Sequence, residues 1–342
     1  MKQSLVKIVY GILDFIFPEW FSEKVKMLGC ILTGDWHLNP PYPLFPPETF
    51  KDVTDEKISI VYSGFPENEI SCIKTYVNRQ IGLDSAYPRD GILYKYSRIL
   101  GELSEEYYRI KKEVHKESKK IRFIHSKGCG KTTECLYFHH GLRFAPPEVR
   151  EYIKGRIFID AGAGFGDSSL IFCKYYDPLK VCSFEPSGIN RKHYLAFMKR
   201  NSVNENQYEL HPVGLGEKNS VVCFADNGGM AVSLLSDTED AKSTVEIQSI
   251  DQLFLSRPGK IGLIKADVEG MCLPLLKGAT KIIRRDLPVL SLCIYHNKEE
   301  LLDVYPYLKS LALDYEVHVQ AHSSSAETAE LTMMAFPRHL LS

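Results

Sequence analysis

The chain has 342 residues, 44% of them apolar and 25% charged, which excludes a largely disordered, collagenous or disulfide-stapled protein. Lys plus Arg number 42 against 43 Asp plus Glu, so the near-neutral balance gives no reason to expect a nucleic-acid partner. Nine cysteines, an odd number with no CxxC pair, read as buried free thiols in a reducing cytoplasm.

Residues 4–21 are strongly apolar, but Lys7 and Asp14 interrupt the run and no small-x-small cleavage site follows. A bilayer span and a signal peptide are therefore not expected. The reading is a helix ended by Pro18 that packs on the protein body or on a second subunit, with peripheral membrane contact as the alternative. Residues 39–47 hold five prolines and form an extended linker or rigid loop. Lys57–Ser63 is expected to be a short strand and Glu69–Gln80 an amphipathic helix. Residues 104–120 read as a charged surface helix capped by Ser104. Nine Lys or Arg between Arg109 and Lys131 form a solvated face or a patch for a phosphate-bearing acceptor. KGCGKTT, residues 127–133, imitates a phosphate-binding loop, but the first glycine of that pattern would stand at position 125, which is His125.

From about Gly155 strands alternate with helices. Strands are expected at 156–161, 180–184, 207–213, 261–266 and 288–294, with two short ones at 220–225 and 244–247. Helices are expected at 167–176, 188–201, 271–284 and 298–311, before closing strands at 315–320 and 331–336. This alternation predicts an α/β fold with a doubly wound, mostly parallel sheet, and the closing pair suggests one antiparallel strand at its edge.

The strongest signal is FIDAGAGFGDSS, residues 158–169, at the first strand-to-helix turn. Gly162, Gly164 and Gly166 let the backbone approach a ligand closely, and Asp167 or Ser168 is placed to cap the helix that follows. Glu185, in SFEP at the end of the second strand, is placed to accept both hydroxyls of a ribose. These parts imply an adenosine-type ligand. A dinucleotide fingerprint starting at Gly162 would need glycine where Asp167 stands, which counts against a nicotinamide-dependent oxidoreductase. A non-catalytic scaffold of the same fold is the third reading. The run D-x-G-x-G-x-G from Asp160 to Gly166 resembles the first motif of class I S-adenosylmethionine-dependent methyltransferases.

FIDAGAGFGDSS, FEPSGIN, PVGLGEK, KADVEGM, LLKGA and IYHNKEEL follow one another in that order. Together they resemble the FkbM family of methyltransferases, over residues from about 137 to 337. The resemblance implies a seven-stranded Rossmann-like methyltransferase domain over 137–342, preceded by an accessory region over 1–136. It implies S-adenosylmethionine as cofactor, with contacts from Asp160, Gly162, Gly164, Gly166, Asp167, Ser168, Glu185, Pro186, Gly214 and Asp267. It further implies O-methylation of a hydroxyl, on a sugar destined for a surface polysaccharide or on a small natural product.

The candidate catalytic residues are His296, Asp267 and Glu269. Asp267 and Glu269 sit in the turn after strand 261–266, and His296 follows strand 288–294, all at the carboxyl edge where ligands of such folds bind. His296 is the candidate base. Asp267 contacts the methionine amino group or orients the acceptor, and Glu269 binds the acceptor or holds the turn. Lys265 shares a strand face with Asp267 and is expected to pair with an acid. No His/Asp/Glu grouping has metal-site spacing, Asp267 with Glu269 coming nearest.

Overall fold

The computed structural model describes residues 49–86, 105–122, 133–224, 243–322 and 330–341. The apolar run 4–21, the proline-rich segment 39–47, Ser104 and residues 127–132 lie outside the described residues.

Seven strands form the main sheet: β1 (Ile157–Ala161), β2 (Lys180–Phe184), β3 (Tyr208–His211), β7 (Ile261–Ala266), β8 (Val289–Cys293), β9 (Tyr315–Ala321) and β10 (Leu331–Pro337). Their order across the sheet is β3-β2-β1-β7-β8-β10-β9. Every pair from β3 to β8 is parallel, and β10 runs antiparallel to both of its neighbours. The antiparallel strand is therefore one place in from the edge, not at the edge as expected. The crossover from β8 to β9 leaves one gap, and β10 returns to fill it. β4 (Gly214–Leu215), β5 (Ser220–Phe224) and β6 (Ser243–Gln248) make a separate small sheet.

Strands β1, β7 and β8 are buried along their whole length, because both faces of the sheet are covered. Alternation sorts their side chains. Ile157, Ile159 and Ala161 join one core, whereas Phe158 joins the other. The first core is covered by α1 (Asp55–Val61), α2 (Glu67–Ala86), α7 (Ile250–Phe254), α8 (Cys272–Lys277), α9 (Thr280–Asp286) and α10 (Lys298–Ser310). The second is covered by α3 (Glu105–Ser118), α4 (Pro147–Ile153), α5 (Asp167–Tyr175) and α6 (Gly188–Arg200). The result is a helix–sheet–helix sandwich. No helix among the described residues is long and apolar enough to cross a membrane.

Two local expectations fail for physical reasons. The segment expected as a strand at 57–63 is helix α1, because Thr54 accepts a hydrogen bond from the Lys57 N–H and Asp55 and Glu56 occupy the first turn. Ile58 and Tyr62, four apart, are buried, while Ile60 is 66% exposed, which is helical spacing and not strand spacing. The expected helix 271–284 is divided into α8 and α9 at Gly278. There a Cβ would stand 2.0 Å from the Gly216 carbonyl oxygen, so the close approach of the two chain segments requires glycine at the break.

Residues 49–86 pack on the same core as the sheet. Tyr62 Oη donates to the Leu301 carbonyl at 2.5 Å, and Tyr76 Oη to the Tyr295 carbonyl at 2.9 Å. Glu69 accepts the Val319 N–H at 2.8 Å, which occupies a backbone donor on edge strand β9.

Candidate cofactor and acceptor site

A polar row runs through the centre of the sheet. Ser183, Asp160, Lys265 and Ser291 are register partners on β2, β1, β7 and β8, and all are buried. Asp160 accepts from Ser168 Oγ at 3.2 Å and from Ser169 Oγ at 2.5 Å, and lies 3.3 Å from Lys265 Nζ. Lys265 also donates to the carbonyls of Ala161 and Gly162, at 3.3 and 2.9 Å. Burial alone would lower the Lys265 pKa, but the charges of Asp160 and Asp267 raise it, so the ammonium is retained. Asp160 and Ser168 thus brace the glycine loop from beneath. Asp160 is fully buried and the Ser168 hydroxyl is committed to it.

The glycine loop joins β1 to α5. The N–H groups of Gly162 and Ala163 both donate to the Phe184 carbonyl at 3.1 Å. Gly162 has φ +72°, and a Cβ there would stand 1.8 Å from the Asp267 carbonyl oxygen. Gly166 has φ +93° and lies against the Tyr194 ring. Above Gly164 the space is open, with nothing within 4 Å of a built Cβ. The Gly164 N–H donates to Glu185 Oε2 at 2.9 Å, while Glu185 Oε1 accepts the Ser187 N–H at 2.8 Å. Burial pushes the Glu185 pKa up to about 7 against these backbone donors. Asp167 opens α5, and burial raises its pKa as well. The Pro186 carbonyl accepts from Arg191, and Gly214 opens β4 in the small sheet, paired with Ile247.

The turn after β7 meets the turn after β8. His296 Nδ1 lies 2.9 Å from Glu300 Oε2, and its Nε2 lies 3.2 Å from Asp267 Oδ1 and 3.8 Å from Glu269 Oε2. Burial would lower the His296 pKa, but the two flanking carboxylates raise it well above its ordinary value. Nδ1 is hydrogen-bonded to Glu300 and Nε2 faces Asp267 and Glu269, so both ring nitrogens stand against carboxylates. Asp267 is held below the usual carboxylate range: burial raises its pKa, but His296 and Lys265 outweigh that. Glu269 is different, because burial, with Asp267 and Glu300 adding, lifts its pKa to about 7 against the opposing His296. It has φ +49°, a strained conformation for a residue other than glycine.

The structure therefore gathers Gly162, Gly164, Asp167, Glu185, Asp267, Glu269 and His296 at the carboxyl edge of the sheet. Sequence reasoning passed over Glu134, His140 and Glu300. Glu300 is fully buried and lies four residues after His296, the spacing that lets two side chains on one helical turn meet. Glu134 and His140 form a buried pair at 2.9 Å, reached only through the fold.

Replacing Gly162 with Ala should abolish measurable cofactor binding and lower Tm. The added methyl collides with the Asp267 carbonyl, and the left-handed backbone costs roughly 1–2 kcal/mol for any other L-residue. Calorimetry and thermal denaturation read both effects, and wild-type values in Gly162→Ala would mean that the loop–turn contact is dispensable.

The strand order, with its single reversed strand, and the glycine loop after the first strand are those of the Rossmann-like methyltransferase fold. Residues 160–317 match the family model described as the methyltransferase FkbM domain. Among solved structures, the methyltransferase FkbM from Methylobacillus flagellatus is 20% identical, with 71% of this chain and 58% of that one covered and a TM-score of 0.47. An rRNA methylase from Streptococcus thermophilus is 15% identical over 56% of this chain and 92% of its own, at a TM-score of 0.37. Fibrillarin from Aeropyrum pernix, solved with bound S-adenosyl-L-methionine, is 8% identical over 58% of this chain and 72% of its own, at 0.35. The comparison with curated proteins found no match.

Proposed function

We propose that this chain is an S-adenosylmethionine-dependent O-methyltransferase acting on a hydroxyl of a sugar or a small natural product. The observation that carries the proposal is the backbone contact of Gly162 with Asp267, which sets the ligand loop beside the turn bearing Glu269 and facing His296.

The residues fit the cofactor. The open space above Gly164 lies beside the Glu185 carboxylate, whose remaining lone pairs suit ribose hydroxyls. The half-buried Asp167 carboxyl suits a nearby cation such as the methionine ammonium. When bound, S-adenosylmethionine supplies a methyl group on a sulfonium. The protein's part is alignment and proton removal. Asp267, faced by His296, would orient the acceptor hydroxyl, and Glu269 would take the hydroxyl proton. His296 is a positioning residue, held by Glu300. A cytoplasmic setting agrees with the buried thiols of Cys135, Cys272 and Cys293.

Calorimetry on wild type and Glu185→Ala is the test. The wild type should bind S-adenosylmethionine and not NADH. Each lost hydrogen bond to the charged carboxylate is worth roughly 1.5–3 kcal/mol, so the variant should bind at least tenfold more weakly. NADH binding by the wild type would replace the methyltransferase reading with an oxidoreductase one. Unchanged affinity in the variant would remove Glu185 from the ribose site.

A further inference from the structure

We propose that Cys182, Glu209 and His211 form a binding site for a borderline-soft divalent cation of the Zn²⁺ type, at the β2–β3 edge of the main sheet and separate from the acceptor turns. Cys182 is the register partner of Glu209, and Phe184 that of His211. With a period of two along each strand, all four side chains lie on one face.

The donor atoms stand close to coordination spacing. Glu209 Oε2 is 3.9 Å from Cys182 Sγ and 3.5 Å from His211 Nε2, and the three donors lie within 4.8 Å of one another. Tetrahedral zinc, with bonds of about 2.0–2.3 Å, places its ligand atoms roughly 3.3–3.8 Å apart. Only a small inward movement of the thiol is required. One sulfur, one imidazole and one carboxylate is a donor set that suits zinc and not magnesium or calcium.

The surroundings hold these donors in place. Glu209 Oε1 is taken by Arg257 Nη2 at 2.8 Å and approached by Lys180 Nζ at 3.6 Å, which leaves Oε2 turned to the thiol and the imidazole. The His211 ring is stacked on Phe184, with centroids 4.8 Å apart and planes 14° from parallel. Its Nε2 is buried and meets only Glu209 Oε2, at the long distance of 3.5 Å, a weak contact that a ligand shared by both groups would replace. Binding forms bonds from the metal to sulfur, nitrogen and oxygen, and releases the Cys182 thiol proton to solvent.

A second cluster, Glu134, Asp267 and Cys293, has similar spacing. Asp267 belongs to the acceptor turn, so that cluster is part of the site already described. The β2–β3 cluster is therefore the better cation site. A cation there would tie edge strand β3 to β2 directly below Glu185, whose N–H donates to the His211 carbonyl at 3.2 Å.

The experiment is a titration of the full chain, freed of metal by dialysis against a chelator, with Co²⁺ followed by Zn²⁺. Expected is a thiolate-to-cobalt charge-transfer band that saturates at one equivalent and is bleached by Zn²⁺, together with a higher Tm in Zn²⁺. Cys182→Ser should abolish the band. Glu209→Gln and His211→Ala should each weaken Co²⁺ binding by at least about tenfold, and they test the site independently should Cys182→Ser fail to fold. Cys223→Ser, at an exposed thiol, and Cys293→Ser should keep the band. Absence of a band in the wild type overturns the proposal. So does a band that survives Cys182→Ser, one that is lost in Cys293→Ser, or binding undiminished in both Glu209→Gln and His211→Ala.

Discussion

Glu269→Gln should slow single-turnover methyl transfer by roughly 10²–10⁴-fold, the usual contribution of a positioned general base. The amide keeps the size of the side chain but cannot take a proton at working pH. The wild-type rate should also follow the ionisation of Glu269. Below its pKa of about 7 the carboxyl is protonated and cannot accept, so the rate should rise about tenfold per pH unit and level off above 7. The variant's residual rate should be flat across that range, because alignment alone does not titrate. His296→Asn removes a cation beside Glu269 and should move the midpoint upward, since His296 opposes the rise in the Glu269 pKa. A midpoint still near 7 in Glu269→Gln would return the proton to another group, Asp267 first.

The second large effect is on stability. Lys265→Met should cost about 3–5 kcal/mol, the range for removing one partner of a buried ion pair. Asp160 would keep its charge in the core with only two serine hydroxyls to hold it, and the carbonyls of Ala161 and Gly162 would lose their donor. A fall in Tm of about 5 °C is expected. Asp160→Asn combined with Lys265→Met should recover part of the loss, because no charge is then left buried. A Tm in Lys265→Met within a degree of wild type would mean that the pair contributes little.

Both predictions rest on residues whose roles the sequence disclosed unequally. The sequence made most of the fold legible. The strand–helix alternation and the glycine run at Asp160–Gly166 depend on periods and spacings within a few residues, so a linear reading finds them. The candidate site was visible as a set of motif residues at strand ends. Where local patterns compete, the reading failed: KISIVYS has strand composition, and only the Thr54 cap and the burial of Ile58 with Tyr62 decide for helix.

By itself the sequence determined that a glycine loop follows the first strand and that acids and a histidine close two later ones. Tertiary structure decided what each group does. Asp160 and Lys265 lie far apart in the chain and become register partners only when β1 pairs with β7, which makes Asp160 half of a buried ion pair. His296 reads in the sequence as a lone histidine, and only the fold sets it between Asp267 and Glu300, which raise its pKa. Glu269 reads in the sequence as an ordinary turn acid, and its raised pKa comes from burial, with the charges of Asp267 and Glu300 adding. The physical reason is common to all three: residue type fixes which protons a side chain can exchange, whereas burial and neighbouring charge, brought together from distant parts of the chain, fix which of them it holds.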